Sequence, residues 1–290
     1  MWDIYRRKQK IFVEFRNGHK TWVNAFEASL LSLAIKNGLD VEKILNFIQM
    51  ERFNKNRLYL LNLAIRKGLD ENMAIEYAKH DTILYKNTPV VMHLPADKGI
   101  SILEIFYSEV YKFLNVENKT VVDIGGFVAD SAIYFALNGA KKVIMLEPCL
   151  KFFEYAIRNV KENNLEEKII LLNAAYGLNE EISLDKTVER ILNKDAKQNF
   201  NERKIRIYSL EELIKEFNIR EAVLKMDCEG CEYNLINENN QILSTFSSIQ
   251  IEFHHGYEEL LEKLKDAGFD VKVELNGKNF GYIYAKRNQK

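Results

Sequence analysis

The chain has 290 residues, 47% of them apolar and 29% charged, which is the balance of a globular protein rather than a disordered or fibrous one. Its net charge of −1 gives the molecule as a whole no electrostatic footprint for nucleic acid; residues 1–60 carry eleven Lys/Arg against six Asp/Glu, an excess that a solvated helical surface explains better than a phosphate-binding patch. Three cysteines are too few for a disulfide framework, no apolar run reaches the roughly 20 residues a membrane span needs, and Met1–Lys8 is not followed by the apolar core of a secretory signal, so the chain reads as cytoplasmic and not inserted in a membrane.

Residues 1–85 read as a small helical domain, because apolar residues recur there at spacings of three and four. Leu31–Asp40 returns thirty residues later as Leu61–Asp70, and both copies describe one joint: a glycine after the last helical turn (Gly38, Gly68), then an Asp that caps the next helix (Asp40, Asp70). Pro89, Pro95 and Gly99 mark the boundary to a second domain over 86–290. An amphipathic helix with an aromatic face is expected over 102–114. Beyond it strands are expected at 119–124, 142–147, 168–173, 222–227, 247–253, 269–274 and 281–286. Helices at 129–138, 149–163, 209–217, 231–238 and 257–267 alternate with them. That alternation predicts a Rossmann-like α/β fold with a seven-stranded, mostly parallel sheet covered on both faces. Only Leu275–Phe280 separate the last two strands, too few for a parallel crossover, so the last strand runs antiparallel. A parallel sheet closed by such a hairpin is the class I methyltransferase arrangement.

Thr120–Gly126 reads as a buried strand that ends in Asp123, Gly125 and Gly126, at the edge where open α/β sheets bind ligands. The glycines admit a ligand close to the backbone, and the helix that follows, with Asp130 and Ser131 in its first turn, offers unpaired N–H groups. An acid here suits S-adenosylmethionine (SAM), which carries a sulfonium and an ammonium but no phosphate. A plain capped turn explains the same segment equally well. Lys142–Pro148 is again a strand ending in an acid, Glu147, twenty-four residues after Asp123. A carboxylate there accepts both ribose hydroxyls of a nucleoside. NAD is disfavoured, because Phe127, Val128 and Ala129 follow Gly126 and no G-x-G-x-x-G is present. Asn173 and Ala174, at the end of the third strand, can frame an adenine.

Lys225–Glu232 follows the fourth strand and places Asp227, Glu229 and Glu232 within six residues, a costly cluster unless solvated, paired or functional. Capping of the next helix accounts for Glu232 and Glu229, but not for Asp227 at the end of an apolar strand. Cys228 and Cys231, with no second pair, read as packing cysteines rather than a redox or zinc site. The fifth strand brings Glu252, His254 and His255 to the same edge. A histidine there can be a general base for a hydroxyl, can join the carboxylates around a divalent cation, or can belong to a polar loop edge. The base reading leads, and no metal is assigned.

The motifs D-I-G-G-F-V-A-D-S, L-E-P, L-K-M-D-C-E-G-C-E-Y and I-E-F-H-H-G, in that order, resemble the FkbM-type methyltransferases, most of all their archaeal branch. The resemblance covers about residues 100–290. It implies SAM as cofactor and a hydroxyl of a sugar, lipid or other small molecule as acceptor. It carries over Asp123, Gly125, Glu147 and Asn173 as cofactor residues, joined on the residues' own reading by Gly126, Phe127, Asp130, Ser131, Pro148 and Ala174. It places Asp227 at the junction of cofactor and acceptor, where Glu229, Glu252 and His254 complete the catalytic candidates. Two positions depart from the family's commoner D-x-G-A-N-x-G: Phe127 stands for Asn and Ala129 for Gly. Phe127 cannot hydrogen-bond the methionine part of SAM, so it packs against the cofactor or turns away. Two rival readings remain: an RNA methyltransferase that docks through the basic helical domain, and a SAM-binding or partner-binding module without catalysis.

Overall fold

The computed structural model describes residues 4–7, 10–14, 20–51, 55–66, 68–79, 82–86, 88–95, 100–178 and 205–287. Gly99 and Met1–Asp3, which entered the readings of the boundary and the N-terminus, lie outside the described residues. The chain divides into two compact units, Met1–Leu103 and Glu104–Lys290.

In the first unit the helices α1 (Ala25–Lys36), α2 (Val41–Met50), α3 (Lys55–Arg66) and α4 (Glu71–Lys79) form around the two repeated joints. Gly38 and Gly68 take left-handed φ values of 69° and 84°, as a residue after a last helical turn must, and glycine does so without a Cβ clash. Asp40 then accepts from the amides of Glu42 and Lys43 at 3.1 and 3.2 Å, and Asp70 from those of Asn72 and Met73 at 2.9 and 3.0 Å. The unit is not helical throughout. Strands β1 (Ile4–Arg7), β2 (Lys10–Glu14) and β3 (Lys20–Asn24) form an antiparallel sheet, and β4 (Thr82–Tyr85) pairs with β5 (Thr88–Val91). Ile11 and Val13 alternate with Phe12 in a short β-branched and aromatic run, which pairs with Thr21–Val23; runs this short fit either period in sequence.

The second unit holds a seven-stranded sheet made from β6 (Thr120–Ile124), β7 (Lys142–Leu146), β8 (Ile169–Leu172), β11 (Ala222–Met226), β12 (Phe246–Phe253), β13 (Phe269–Leu275) and β14 (Gly281–Arg287). Their order is β13-β14-β12-β11-β6-β7-β8. The five strands from β12 to β8 pair in parallel, and β14 lies antiparallel between β12 and β13. This is the class I methyltransferase fold. Every residue of β11 and four of the five in β6 and in β7 are buried, as strands covered on both faces must be. Helices α5 (Asp130–Leu137), α6 (Leu150–Glu162), α7 (Leu210–Glu216), α8 (Asn240–Leu243) and α9 (Glu258–Asp266) connect the strands. Strands β9 (Ala174–Tyr176) and β10 (Arg206–Tyr208) make a separate parallel pair that the sequence pattern did not reveal.

Two expected helices come out differently. The segment expected to be helical over 102–114 is a short helix, Ile100–Ile102, followed by a π-helical turn, Leu103–Tyr107. Glu109 then takes a left-handed φ of 48°, which ends the helix. Its aromatic residues still pack, Phe106 on Tyr134 at 5.9 Å, Tyr111 on Phe135 at 5.6 Å and Phe113 on Tyr284 at 5.2 Å between ring centroids. The segment at 231–238 is a 3-10 helix, Cys231–Asn237, which enters from Gly230 at φ 124°. Among the described residues no helix is long and apolar enough to cross a membrane.

The repeated caps give a measurable expectation. Asp40→Ala and Asp70→Ala should each destabilise the first unit by about 1 kcal/mol, the usual loss for an N-cap, while Asp266→Ala, at an exposed helix end with no cap bond, should change little. Urea titrations followed by circular dichroism check both.

Candidate functional site

The carboxyl ends of β6, β7, β11 and β12 converge on one edge. At the end of β6 the amides of Gly125 and Gly126 both donate to the Leu146 carbonyl at 3.0 Å, so this loop is stitched to the next strand. Gly125 has φ 76°, and a Cβ there would run into the carbonyl of Asp227. Glycine is therefore required where the two loops touch. A Cβ at Gly126 would run into the Met145 side chain. The Asp227 amide donates back to the Ile124 carbonyl at 3.1 Å, which closes the contact from the other side.

Glu147 is buried and accepts from the amides of Phe127 at 3.0 Å and Cys149 at 2.7 Å, tying the first loop to the second. Burial outweighs those two bonds and the charge of Lys225, and it pushes the Glu147 carboxyl up to about 8. Asn173 donates to the carbonyls of Glu147 and Pro148 at 2.9 and 3.2 Å. The next residue, Ala174, is buried.

Asp123 is fully buried and does not line the open edge. One of its oxygens accepts from the Ser131 hydroxyl at 2.6 Å, and the other lies 3.1 Å from the ammonium of Lys225. That ammonium also donates to the Gly125 carbonyl at 2.7 Å and lies over the Tyr111 ring. Burial alone would lower the pKa of Lys225, but the charges of Asp123 and Asp227 prevail and raise it, so the lysine stays protonated. Ser131 and Asp130 are likewise buried at the helix start, where Asp130 accepts from the Ser131 amide at 2.9 Å. Asp123, Asp130 and Ser131 thus act on the loop from below.

At the ends of β11 and β12, Glu232 is fully buried and holds His254 Nδ1 at 3.2 Å, while the Gly230 amide donates to its other oxygen at 2.8 Å. His254 Nε2 then lies 3.5 Å from Glu229 and 3.9 Å from Glu252. Asp227, Glu252 and His254 can bring one ligand atom each to within 4.8 Å of the others. Burial would lower His254, but the hydrogen bond to Glu232 and the charges of Glu229, Glu232 and Asp227 outweigh it and push it up to about 9. Burial, reinforced by the charge of Asp227, pushes Glu252 up to about 8. His255 is exposed, stacked on Tyr233, and outside this cluster. Cys228 and Cys231 form a disulfide across Glu229 and Gly230, with Cα atoms 5.5 Å apart. This corrects the reading of two packing cysteines. The left-handed turn at Glu229 (φ 57°) and Gly230 (φ 124°) folds the segment so that the two sulfurs meet.

The Methyltransferase FkbM domain matches residues 116–271, from just before β6 into β13. The chain belongs to the FkbM methyltransferase family. Solved structures similar to it include a precorrin-6y C5,15-methyltransferase from Geobacter metallireducens, 15% identical over 67% of this chain and 94% of that one, TM-score 0.39. An rRNA methylase from Streptococcus thermophilus is 14% identical over 64% and 96%, TM-score 0.38. A SAM-dependent methyltransferase from Aquifex aeolicus is 19% identical over 64% and 92%, TM-score 0.35. Likeness at this level carries nothing about acceptors. No curated protein matches the chain in sequence.

The two departures from the commoner FkbM pattern have a structural meaning. Phe127 and Ala129 are both left-handed, at φ 48° and 67°. Asn and Gly, the usual residues there, reach that region at little cost, whereas a side chain like Phe or Ala loses roughly 1–2 kcal/mol. The Phe127 ring packs edge-on against Phe152 at 4.6 Å. Sequence reasoning missed Lys225, Tyr111 and the orienting role of Glu232. Lys225 carried a signal: a lone charge inside the apolar strand Ala222–Met226 needs a buried partner, and in register it faces Asp123.

Glu147 gives a test by pH. Its folded carboxyl titrates near 8 rather than near 4.5, so between these values the folded chain holds a proton that the unfolded chain releases. Stability from this group is therefore present at low pH and is lost as pH rises through 8. Compared with Glu147→Gln, the native chain should lose on the order of a few kcal/mol between pH 5 and pH 8. Urea melts at four pH values read this directly, and parallel curves for the two proteins would show that the group is ionised throughout.

Proposed function

We propose that this FkbM methyltransferase transfers the methyl group of SAM to a hydroxyl of a sugar, lipid or other small molecule. The observation that carries the reading is the contact of Gly125 with the Asp227 carbonyl, which brings a nucleoside-type loop and an acid–histidine cluster to one edge. On this reading Glu147 accepts the ribose hydroxyls, Asn173, Ala174 and Pro148 flank the adenine, and the methionine end lies along Gly125, Gly126 and Phe127. Asp123, Asp130 and Ser131 support that loop through the bonds described above.

The acceptor hydroxyl then faces Asp227, Glu229, Glu252 and His254. Asp227, or His254 in its neutral form, draws off the hydroxyl proton, the oxygen lone pair attacks the methyl carbon, and the carbon–sulfur bond breaks with its electrons left on sulfur. The protein contributes orientation and exclusion of water rather than covalent chemistry. The negative charge of the cluster also favours approach of the sulfonium from the opposite side.

Radiolabelled SAM incubated with an extract of the source organism, fractionated into RNA, lipid, glycan, protein and small molecules, should label the lipid, glycan or small-molecule fraction. Label in RNA alone would assign the acceptor to nucleic acid. With the labelled fraction as substrate, His254→Ala and Asp227→Asn should each lower turnover by roughly 10²–10⁴-fold, the usual loss of a general base. Calorimetry should show their SAM affinity little changed, whereas Glu147→Ala should weaken it. Wild-type turnover in both acceptor-side variants would remove them from the reaction.

A further inference from the structure

We propose that Asp227, Glu252 and His254 hold a divalent cation of the Mn2+ or Mg2+ class at the acceptor edge of the site. The inference rests on the reading of this edge as the place where hydroxyl and methyl meet, and it specifies what activates the hydroxyl. Asp227 leaves the end of β11; Glu252 and His254 stand two residues apart at the end of the neighbouring strand, so their side chains share one face. One ligand atom from each lies within 4.8 Å of the others, a span that one cation can bridge. Two carboxylates and one imidazole suit a cation that prefers oxygen ligands and tolerates one nitrogen.

The surroundings make His254 a directed ligand. Its Nδ1 lies 3.2 Å from Glu232, a carboxylate with no exposed surface that is itself fixed by the Gly230 amide. When a cation displaces the Nε2 proton, Nδ1–H stays donated to Glu232 and the Nε2 lone pair faces the cluster, which is how a carboxylate behind a histidine orients a metal ligand. The buried Lys225 gives the cluster little compensation, because its ammonium is committed to Asp123 and to the Gly125 carbonyl. Four carboxylates, Asp227, Glu229, Glu232 and Glu252, therefore surround a single imidazole. A dication offsets that charge.

Three protein ligands leave coordination positions for water and for the acceptor hydroxyl. A hydroxyl bound to the cation becomes more acidic. Its proton passes to Glu229, its oxygen lone pair forms the bond to the SAM methyl carbon, and the sulfonium leaves as a neutral thioether. His254 then serves as ligand instead of base.

The test is titration of the full chain with Mn2+ alone, followed by the loss of the free-ion signal in electron paramagnetic resonance. One Mn2+ per chain should bind, and Glu252→Gln and His254→Ala should each weaken binding at least tenfold. Glu232→Gln, which leaves all three ligands in place, should weaken it by about 10–100-fold, as loss of an orienting partner does. Circular dichroism confirms that each variant is folded. Absence of Mn2+ binding to the native chain, or equal binding by the folded Glu252→Gln and His254→Ala variants, overturns the proposal. Because this readout uses neither SAM nor acceptor, such a failure leaves the methylation reading standing. Failure of methyl transfer in an extract would in turn leave the cation site standing.

Discussion

The rest of the site depends on one buried cation. Lys225 enters the sheet on β11 among apolar neighbours, where an unpaired ammonium would cost several kcal/mol. It faces Asp123 in the register of β6, and the pair is almost completely closed to solvent, with 2% and 0% side-chain exposure. A buried ion pair is weak evidence for stability, because desolvation consumes much of its attraction. Its geometric effect is plainer. By donating also to the Gly125 carbonyl, Lys225 ties the strand that carries Asp227 to the loop that precedes Phe127. Ser131, on the other oxygen of Asp123, ties in the start of the next helix.

Around that anchor, both loops carry backbone strain. Phe127, Ala129 and Glu229 are non-glycine residues in the left-handed region, and they flank the contact of Gly125 with Asp227. Strain of this kind costs on the order of 1–3 kcal/mol per residue and persists only where the surroundings hold it. Here the holders can be named. The Glu147 carboxyl group takes the Phe127 amide, the Gly126 carbonyl takes the Ala129 amide, and a disulfide spans Glu229. The protein's own bonds thus hold both loops in place, and a fixed geometry is the condition for transfer by orientation.

Much of this was legible in the sequence, and what was not has physical reasons. The seven strands of the sheet fall within a residue or two of their expected positions, because most are apolar runs between polar turns and β13 alternates apolar with charged residues. The antiparallel β14 followed from a connection of six residues, Leu275–Phe280, that no crossover can make. The edge residues Glu147, Asp227, Glu252 and His254 were legible because each polar side chain ends an apolar strand. Asp123 was legible as important but not as buried: sequence order shows that an acid ends a strand, not that a lysine of another strand, 102 residues later, covers it. The break after Tyr107 depends on one left-handed residue, Glu109, with no glycine to announce it. The disulfide depends on a turn that two cysteines three apart permit but do not dictate.

On the proposed function, the Asp123–Lys225 pair places the loop that carries the cofactor. That role is tested most directly by replacing both partners with apolar residues of similar size, Asp123→Leu with Lys225→Met, and measuring SAM binding by calorimetry beside folding stability in urea. Removing both charges together avoids a stranded buried ion, so the double variant should stay folded within about 2 kcal/mol of the native chain. Its SAM affinity should nevertheless fall at least tenfold, because nothing then holds the Gly125 carbonyl. Native SAM affinity in the folded double variant would contradict the account.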